Sequence, residues 1–103
     1  MRRALFIFQP SSAAAESPAS VFGGWLPLLK DLPGVLSMEV STVVERPFGN
    51  IPAAGLVEVL FADEESMTRS MASPAGRKLA REIMADPRGA PELLVCEPWN
   101  SAG

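Results

Sequence analysis

The sequence predicts a small α+β domain in which a four-stranded antiparallel sheet carries two helices on one face. Three observations carry that prediction. Four short segments combine apolar residues with period-two alternation, and two longer stretches space their apolar residues at helical intervals. The six segments follow one another as β-α-β-β-α-β. With 103 residues the chain is read as one domain, 1–103, and its 48% apolar and 20% charged composition is that of a folding chain.

Residues 3–8 read as the first strand, with Leu5 and Ile7 on one face and Phe6 and Phe8 on the other. Apolar residues on both faces mark a strand covered on both sides. The apolar run ends at Gln9-Pro10, short of the roughly seven to fifteen residues of a secretory leader, so no leader is expected. No stretch approaches the roughly 18 apolar residues of a membrane span. Residues 9–20 are Ser-, Ala- and Pro-rich and read as a connecting loop. Ser17-Pro18, a cap residue followed by Pro at the first helical position, predicts a helix running toward Asp31. Val21, Phe22, Trp25, Leu28, Leu29 and Leu32 lie along it at helical spacing, while Gly23-Gly24 and Pro27 predict a bend or break. Pro33-Gly34 closes the element.

The second strand, 35–45, is expected to place Leu36, Met38, Val40, Thr42 and Val44 on one face and Val35, Ser37, Glu39, Ser41, Val43 and Glu45 on the other. A polar second face suits an edge strand. Residues 46–55, with two Pro and two Gly, read as a long hairpin loop. The third strand, 56–61, sets Val57, Val59 and Phe61 against Leu56, Glu58 and Leu60. Asp63 is an expected N-cap, and Glu64 and Glu65 suit the positive end of the helix dipole. Met67 and Met71 share a helix face. Ser73-Pro74 restarts the helix, which continues to about Ala85 with Leu79, Ala80, Ile83 and Met84 inward and Lys78 and Glu82 as an outward pair. Asp86-Pro87-Arg88-Gly89 breaks it, and 92–97 is the fourth strand, with Cys96 expected to face the interior.

That order is the split βαβ signature of a ferredoxin-like sheet, with strands one and three central and strands two and four at the edges. Two helices cover one face. The other, expected to carry Phe6, Phe8, Val57 and Val59, needs a cover of its own, and a second copy of the chain is the economical one.

Composition removes several chemistries. The chain has no His and no Tyr, and Cys96 is its single thiol, which excludes Ser-His-Asp and Cys-His triads and His-rich metal sites. A lone Cys suits a reducing compartment, so a cytoplasmic location is expected. The net charge of −3 argues against nucleic acid or an anionic membrane as the main partner. Among the carboxylates, Glu58 lies on a central strand between apolar neighbours. In a dry cavity it would be a plausible general base, and paired with Arg46 or another cation it would be structural. Glu39, on the polar face of strand two, suits a second acid/base role or a solvated edge. Met38, Met67, Met71 and Met84 suit an adaptable pocket or ordinary core filling. Ser73 reads as a cap rather than a nucleophile, and residues 63–65 as helix-start acids rather than metal ligands. Gly23-Gly24 lacks the spacing and the Lys of a phosphate loop.

Several segments together resemble the EthD family of the dimeric α+β barrel superfamily. They are Trp25-Leu26-Pro27-Leu28, Leu32-Pro33-Gly34-Val35, Val57-Glu58-Val59-Leu60-Phe61, Asp63-Glu64-Glu65 and Met71-Ala72-Ser73-Pro74-Ala75-Gly76. The resemblance spans nearly the whole chain and rests on the order and spacing of short motifs. It implies a ferredoxin-like fold whose sheets pair into a barrel, and a link to the degradation of ethers and related small organic molecules. The chemistry it implies is cofactor-free proton transfer, isomerisation or oxygenation. The family's usual His before x-Pro-Leu falls at Trp25, which puts any imidazole mechanism there in doubt and suits a pocket wall or a core aromatic.

The sequence therefore predicts a homodimer joined through its sheet faces that holds a small, largely apolar organic molecule between sheet and helices. Trp25, Met38, Phe61 and Met67 are the candidate ligand-binding residues, and Glu58 is the candidate base. No cofactor and no metal is expected. Whether the protein is an enzyme stays open; the alternative is a non-catalytic interaction or accessory protein whose dimer surface is its function. A pocket of roughly 300 Å³ or more lined by Trp25 and Met residues, with Glu58 buried, favours the first reading, and a fully packed space the second.

Overall fold

The computed structural model describes residues 1–9, 22, 24–50, 52–85 and 91–99. Its elements are β1 (Arg2–Phe8), α1 (Trp25–Lys30), β2 (Val35–Thr42), β3 (Gly55–Phe61), α2 (Glu64–Ala72), α3 (Pro74–Ala85) and β4 (Glu92–Cys96). The strands form one antiparallel sheet in the order β2-β3-β1-β4. The two strands with apolar residues on both faces are central and the others form the edges, as the pattern predicts. The expected start at Ser17-Pro18, the Asp86-Pro87-Arg88-Gly89 break and most of the 9–20 connection lie outside the described residues.

Pleating divides each strand between two faces. Ala4, Phe6 and Phe8 of β1 and Val57, Val59 and Phe61 of β3, each 4% exposed or less, lie beneath the helices. They form one cluster with Phe22, Trp25, Leu29, Leu32 and Leu79, and burial of each large side chain contributes roughly 1.5–3 kcal/mol. This corrects the expectation that Phe6, Phe8, Val57 and Val59 lie on the uncovered face. The open face instead carries Leu5 and Ile7 of β1, Leu56, Glu58 and Leu60 of β3, and Leu94 of β4. The open set also carries Arg3 and Glu58, whose charges would be costly beneath the helices, whereas the covered positions Ala4, Phe6, Phe8, Val57, Val59 and Phe61 are all apolar.

β2 differs from simple alternation at its start. Val35 pairs with Phe61 and Ser37 with Leu60, so Leu36 has no place in the ladder and is 59% exposed. The shift moves Val35 to the helix side with Met38, Val40 and Thr42, and leaves Ser37, Glu39 and Ser41 on the open side. The strand also ends at Thr42, three residues before its expected end. The Ala54 N–H donates to the Phe8 carbonyl at 2.7 Å, tying the end of the long loop to the end of β1.

Helix breaks fall where backbone chemistry puts them. α1 begins after Gly24, and Pro27 lies in its first turn, where a missing N–H costs no helical hydrogen bond. Asp63 caps α2 by accepting from the Ser66 N–H at 2.7 Å. Ser73 separates α2 from α3: its hydroxyl accepts from the Gly76 N–H at 3.1 Å and donates to the Ser70 carbonyl at 2.5 Å. Gly76 allows the close approach of the two helices, since a Cβ there would overlap the carbonyl oxygens of Ser70 and Met71. On α3, Leu79 is buried and Ile83 packs against the core, but Ala80 is exposed and Met84 is 79% exposed, which corrects their expected inward placement. The i,i+4 ion pair observed is on α2, Glu65 with Arg69 at 2.7 Å.

Candidate functional site

The sheet separates the sequence-derived site residues into two groups. Trp25, Met38, Phe61 and Met67 all lie on the helix side. The Trp25 ring sits 4.8 Å from that of Phe8, tilted by 44°, and Phe22 meets Phe8 edge-on at 5.1 Å. Phe61 is fully buried at the end of β3, and Met38 and Met67 pack against the same cluster from β2 and α2 while remaining half-buried. These four belong to one apolar layer, in which the flexible Met side chains are the adaptable components.

Glu58 lies on the opposite face. Its cross-strand partners are Leu5 on β1 and Glu39 on β2, so two carboxylates that no sequence spacing joins are direct neighbours in the ladder. Arg3, two residues from Leu5 along β1 and on the same face, brings its Nε to 3.3 Å from the Glu58 Oε1. Arg3, Ser37, Glu39, Glu58 and Leu60 line a shallow pocket of about 140 Å³. Both partners of the ion pair are partly exposed, so its contribution to stability is at most about 1 kcal/mol. The arrangement can accept a proton at a carboxylate and hold an anionic group at the guanidinium. Sequence reasoning missed Arg3 and Ser37 as members of this cluster. Ser37 carries a signal of parity, since it alternates in phase with Glu39 along β2, whereas Arg3 reaches Glu58 only through the register of β1 on β3.

Other candidates have plainer roles. Cys96 pairs in register with Arg3 and therefore faces the open side, half-buried, which corrects its expected interior placement. Hydrogen bonds from the Ser66 backbone N–H, and secondarily from its hydroxyl, hold the Asp63 carboxyl below the usual carboxylate range. Among the described residues no group of three or more His, Cys, Asp or Glu side chains is arranged to hold a metal ion. No helix among them is long and apolar enough to cross a membrane.

Antiparallel β-α-β-β-α-β topology with this strand order defines a ferredoxin-like α+β protein. Solved structures narrow the fold: it is that of the EthD and DABB ferredoxin-like proteins. An EthD family protein of Bacillus halodurans superposes with a TM-score of 0.80 at 20% identity, over 96% of this chain and 99% of its own. A DABB family protein of Mesorhizobium loti with a ferredoxin-like fold gives 0.67 at 16% identity, over 96% and 97% of the two chains. A dimeric ferredoxin-like protein of unknown function from a Jannaschia species gives 0.69 at 12% identity, over 94% and 98%. No family model and no curated protein matches the sequence.

Proposed function

We propose that two copies of this chain pair through their open sheet faces, and that the dimer binds a small, largely apolar organic molecule and acts in its degradation. The observation that carries this reading is the aliphatic patch of Leu5, Ile7, Leu56, Leu60 and Leu94, which lies on the sheet face opposite the core that α1 and α3 cover. Leu94 alone is 48% exposed. A contiguous apolar patch on a sheet face marks an interaction surface, and the Jannaschia fold neighbour is described as dimeric. The likeness to EthD and DABB folds supports a small-molecule role by analogy. A cytoplasmic location is supported by the single thiol, since secreted domains of this size rely on paired cysteines.

In this reading Glu58 is the proton acceptor of a cofactor-free proton transfer, isomerisation or oxygenation, acting on a ligand held between the two sheets. Trp25, Met38, Phe61 and Met67 belong to the packed apolar layer on the helix side. The two groups face opposite sides of one sheet, so a bound molecule touches one group or the other within a protomer. The Arg3–Glu58 ion pair and the packing of Trp25 on Phe8 favour a second reading, a non-catalytic accessory dimer, because they occupy the carboxylate and the ring structurally.

Light scattering and thermal-shift screening test the proposal together. The expected mass is twice the 11.0 kDa of the chain, with Leu60→Lys reducing it to one. Small aromatics and lactones are expected to include a compound that raises the melting temperature. Glu58→Gln should keep that rise and lose any turnover. A stable wild-type monomer at micromolar concentration would overturn the assembly. A dimer that no compound stabilises points to the accessory reading.

A further inference from the structure

We propose that assembly through the open sheet face is coupled to proton uptake by the Glu39–Glu58 pair, so that acid tightens the dimer; this rests on the dimeric reading above. Glu39 and Glu58 are direct partners on adjacent antiparallel strands and share the open face. Side chains so placed have Cβ atoms about 4.5–5.5 Å apart, and like charges there repel. In the single chain, water and Arg3 relieve that repulsion: the pocket around the pair is open to solvent, and the guanidinium lies on Glu58.

The charges facing the pair are few. β1 contributes Arg3, the one cation of the open face among the described residues, and β4 contributes Glu92 and the Cys96 thiol by register with Ile7 and Arg3. Among the described residues no helix packs on this side. The N-terminal ammonium acts on Asp63 at one end of the sheet, and Glu45 and Arg46 belong to the loop at the other. Among the described strand residues, each protomer thus brings one Arg and three Glu to the face.

Covering the face with a second copy doubles that excess of negative charge and removes the water that screened it. Sheets packed face to face lie about 10 Å apart, leaving little room for solvent over central-strand residues. Buried carboxylates require partners, and here Arg3 can match one of the two. A proton taken from solvent by the pair removes the surplus. The neutral carboxyl then donates a hydrogen bond to its ionised neighbour, and Arg3 balances the remaining charge. Glu92, exposed near the end of an edge strand, keeps its water. One proton per protomer makes two per dimer.

Sedimentation equilibrium between pH 5.5 and 7.5 reads the linkage directly. The dimer Kd is expected to be at least about 10-fold tighter at pH 5.5, each linked proton contributing up to 10-fold per pH unit. Glu39→Gln should dimerise at pH 7.5 about as tightly as the wild type does at pH 5.5, with little dependence on pH. Arg3→Gln should weaken the dimer at pH 7.5 and steepen the dependence, with circular dichroism confirming that both variants fold. A dimer whose Kd changes less than twofold across this range, or a Glu39→Gln variant that titrates like the wild type, overturns the linkage while leaving the dimer standing. A chain that stays monomeric at every pH overturns the dimer itself, and the linkage with it.

Discussion

Trp25 packs on Phe8 with ring centroids 4.8 Å apart and planes tilted by 44°, joining the first turn of α1 to the end of β1. That contact gives the residue a structural role at the position where the EthD pattern has His. Replacing Trp25 with His removes most of the buried ring and places a polar imidazole in an apolar layer. The expected loss is about 3 kcal/mol or more, read as a lower urea midpoint. Trp25→Phe, which retains an aromatic ring against Phe8, should lose less than half as much. Equal midpoints for the His variant and the wild type would contradict this account of the ring.

Gly76 lets the start of α3 lie directly against the end of α2. Its replacement by Ala sets a methyl group against the Ser70 and Met71 carbonyl oxygens, which are backbone and cannot rotate away. Overpacking of this kind costs roughly 1–3 kcal/mol, well beyond the modest gain Ala brings to a helix. Chemical denaturation should show Gly76→Ala less stable than the wild type, and a stabilised variant would mean that the helices separate freely.

Ser70 offers a change of the opposite sign. Its side chain is 1% exposed, and its hydroxyl has no hydrogen-bond partner. An unsatisfied buried hydroxyl costs about 1–3 kcal/mol, so Ser70→Ala should be neutral or stabilising by up to about 1 kcal/mol once the small void is counted. Thermal melts of the two proteins distinguish this from a loss.

Acid should act at the start of α2. The Asp63 carboxyl titrates below its usual range because the Ser66 N–H holds the charged form, so in the unfolded chain it binds protons more readily than in the native one. Its contribution is therefore complete above the ordinary carboxylate pKa and is lost as pH falls through the lower native value. Asp63→Asn keeps a capping oxygen without the titration. Acid unfolding curves should show a shallower loss of stability for Asp63→Asn below about pH 4.

The fold was legible because it depends on pattern: strand order, edge and centre, the Ser73-Pro74 restart and the Asp63 cap all follow from alternation and capping chemistry. Which face the helices cover was not legible in the same way. In β1, Leu5 and Ile7 are as apolar as Phe6 and Phe8, so alternation groups them without saying which group is inside. The polar residues held the missing information, because Glu58 and Arg3 share the parity of Leu5 and Leu60 and could not lie beneath the helices unpaired. The site was less legible still. Glu39 and Glu58 meet through strand register, which depends on where a long loop lets β2 and β3 align, and no local spacing records that. Trp25, Met38, Phe61 and Met67 lie in one apolar layer on the helix side. Their separation from Glu58 by the thickness of the sheet follows from the same unread parity.

The register shift at the start of β2 has a consequence for how the chain tolerates changes in length. Val35 and Ser37 already face opposite sides, opposite Phe61 and Leu60. Remove Leu36, and those two residues become consecutive with their orientations intact, so the strand closes into an uninterrupted alternation. Leu36 thus behaves as an in-frame insertion of a single codon, accommodated at an edge where one extra residue can bulge outward. A deletion there would leave the hydrophobic layer in phase. The same loss in β1 or β3 would turn half of a central strand inside out.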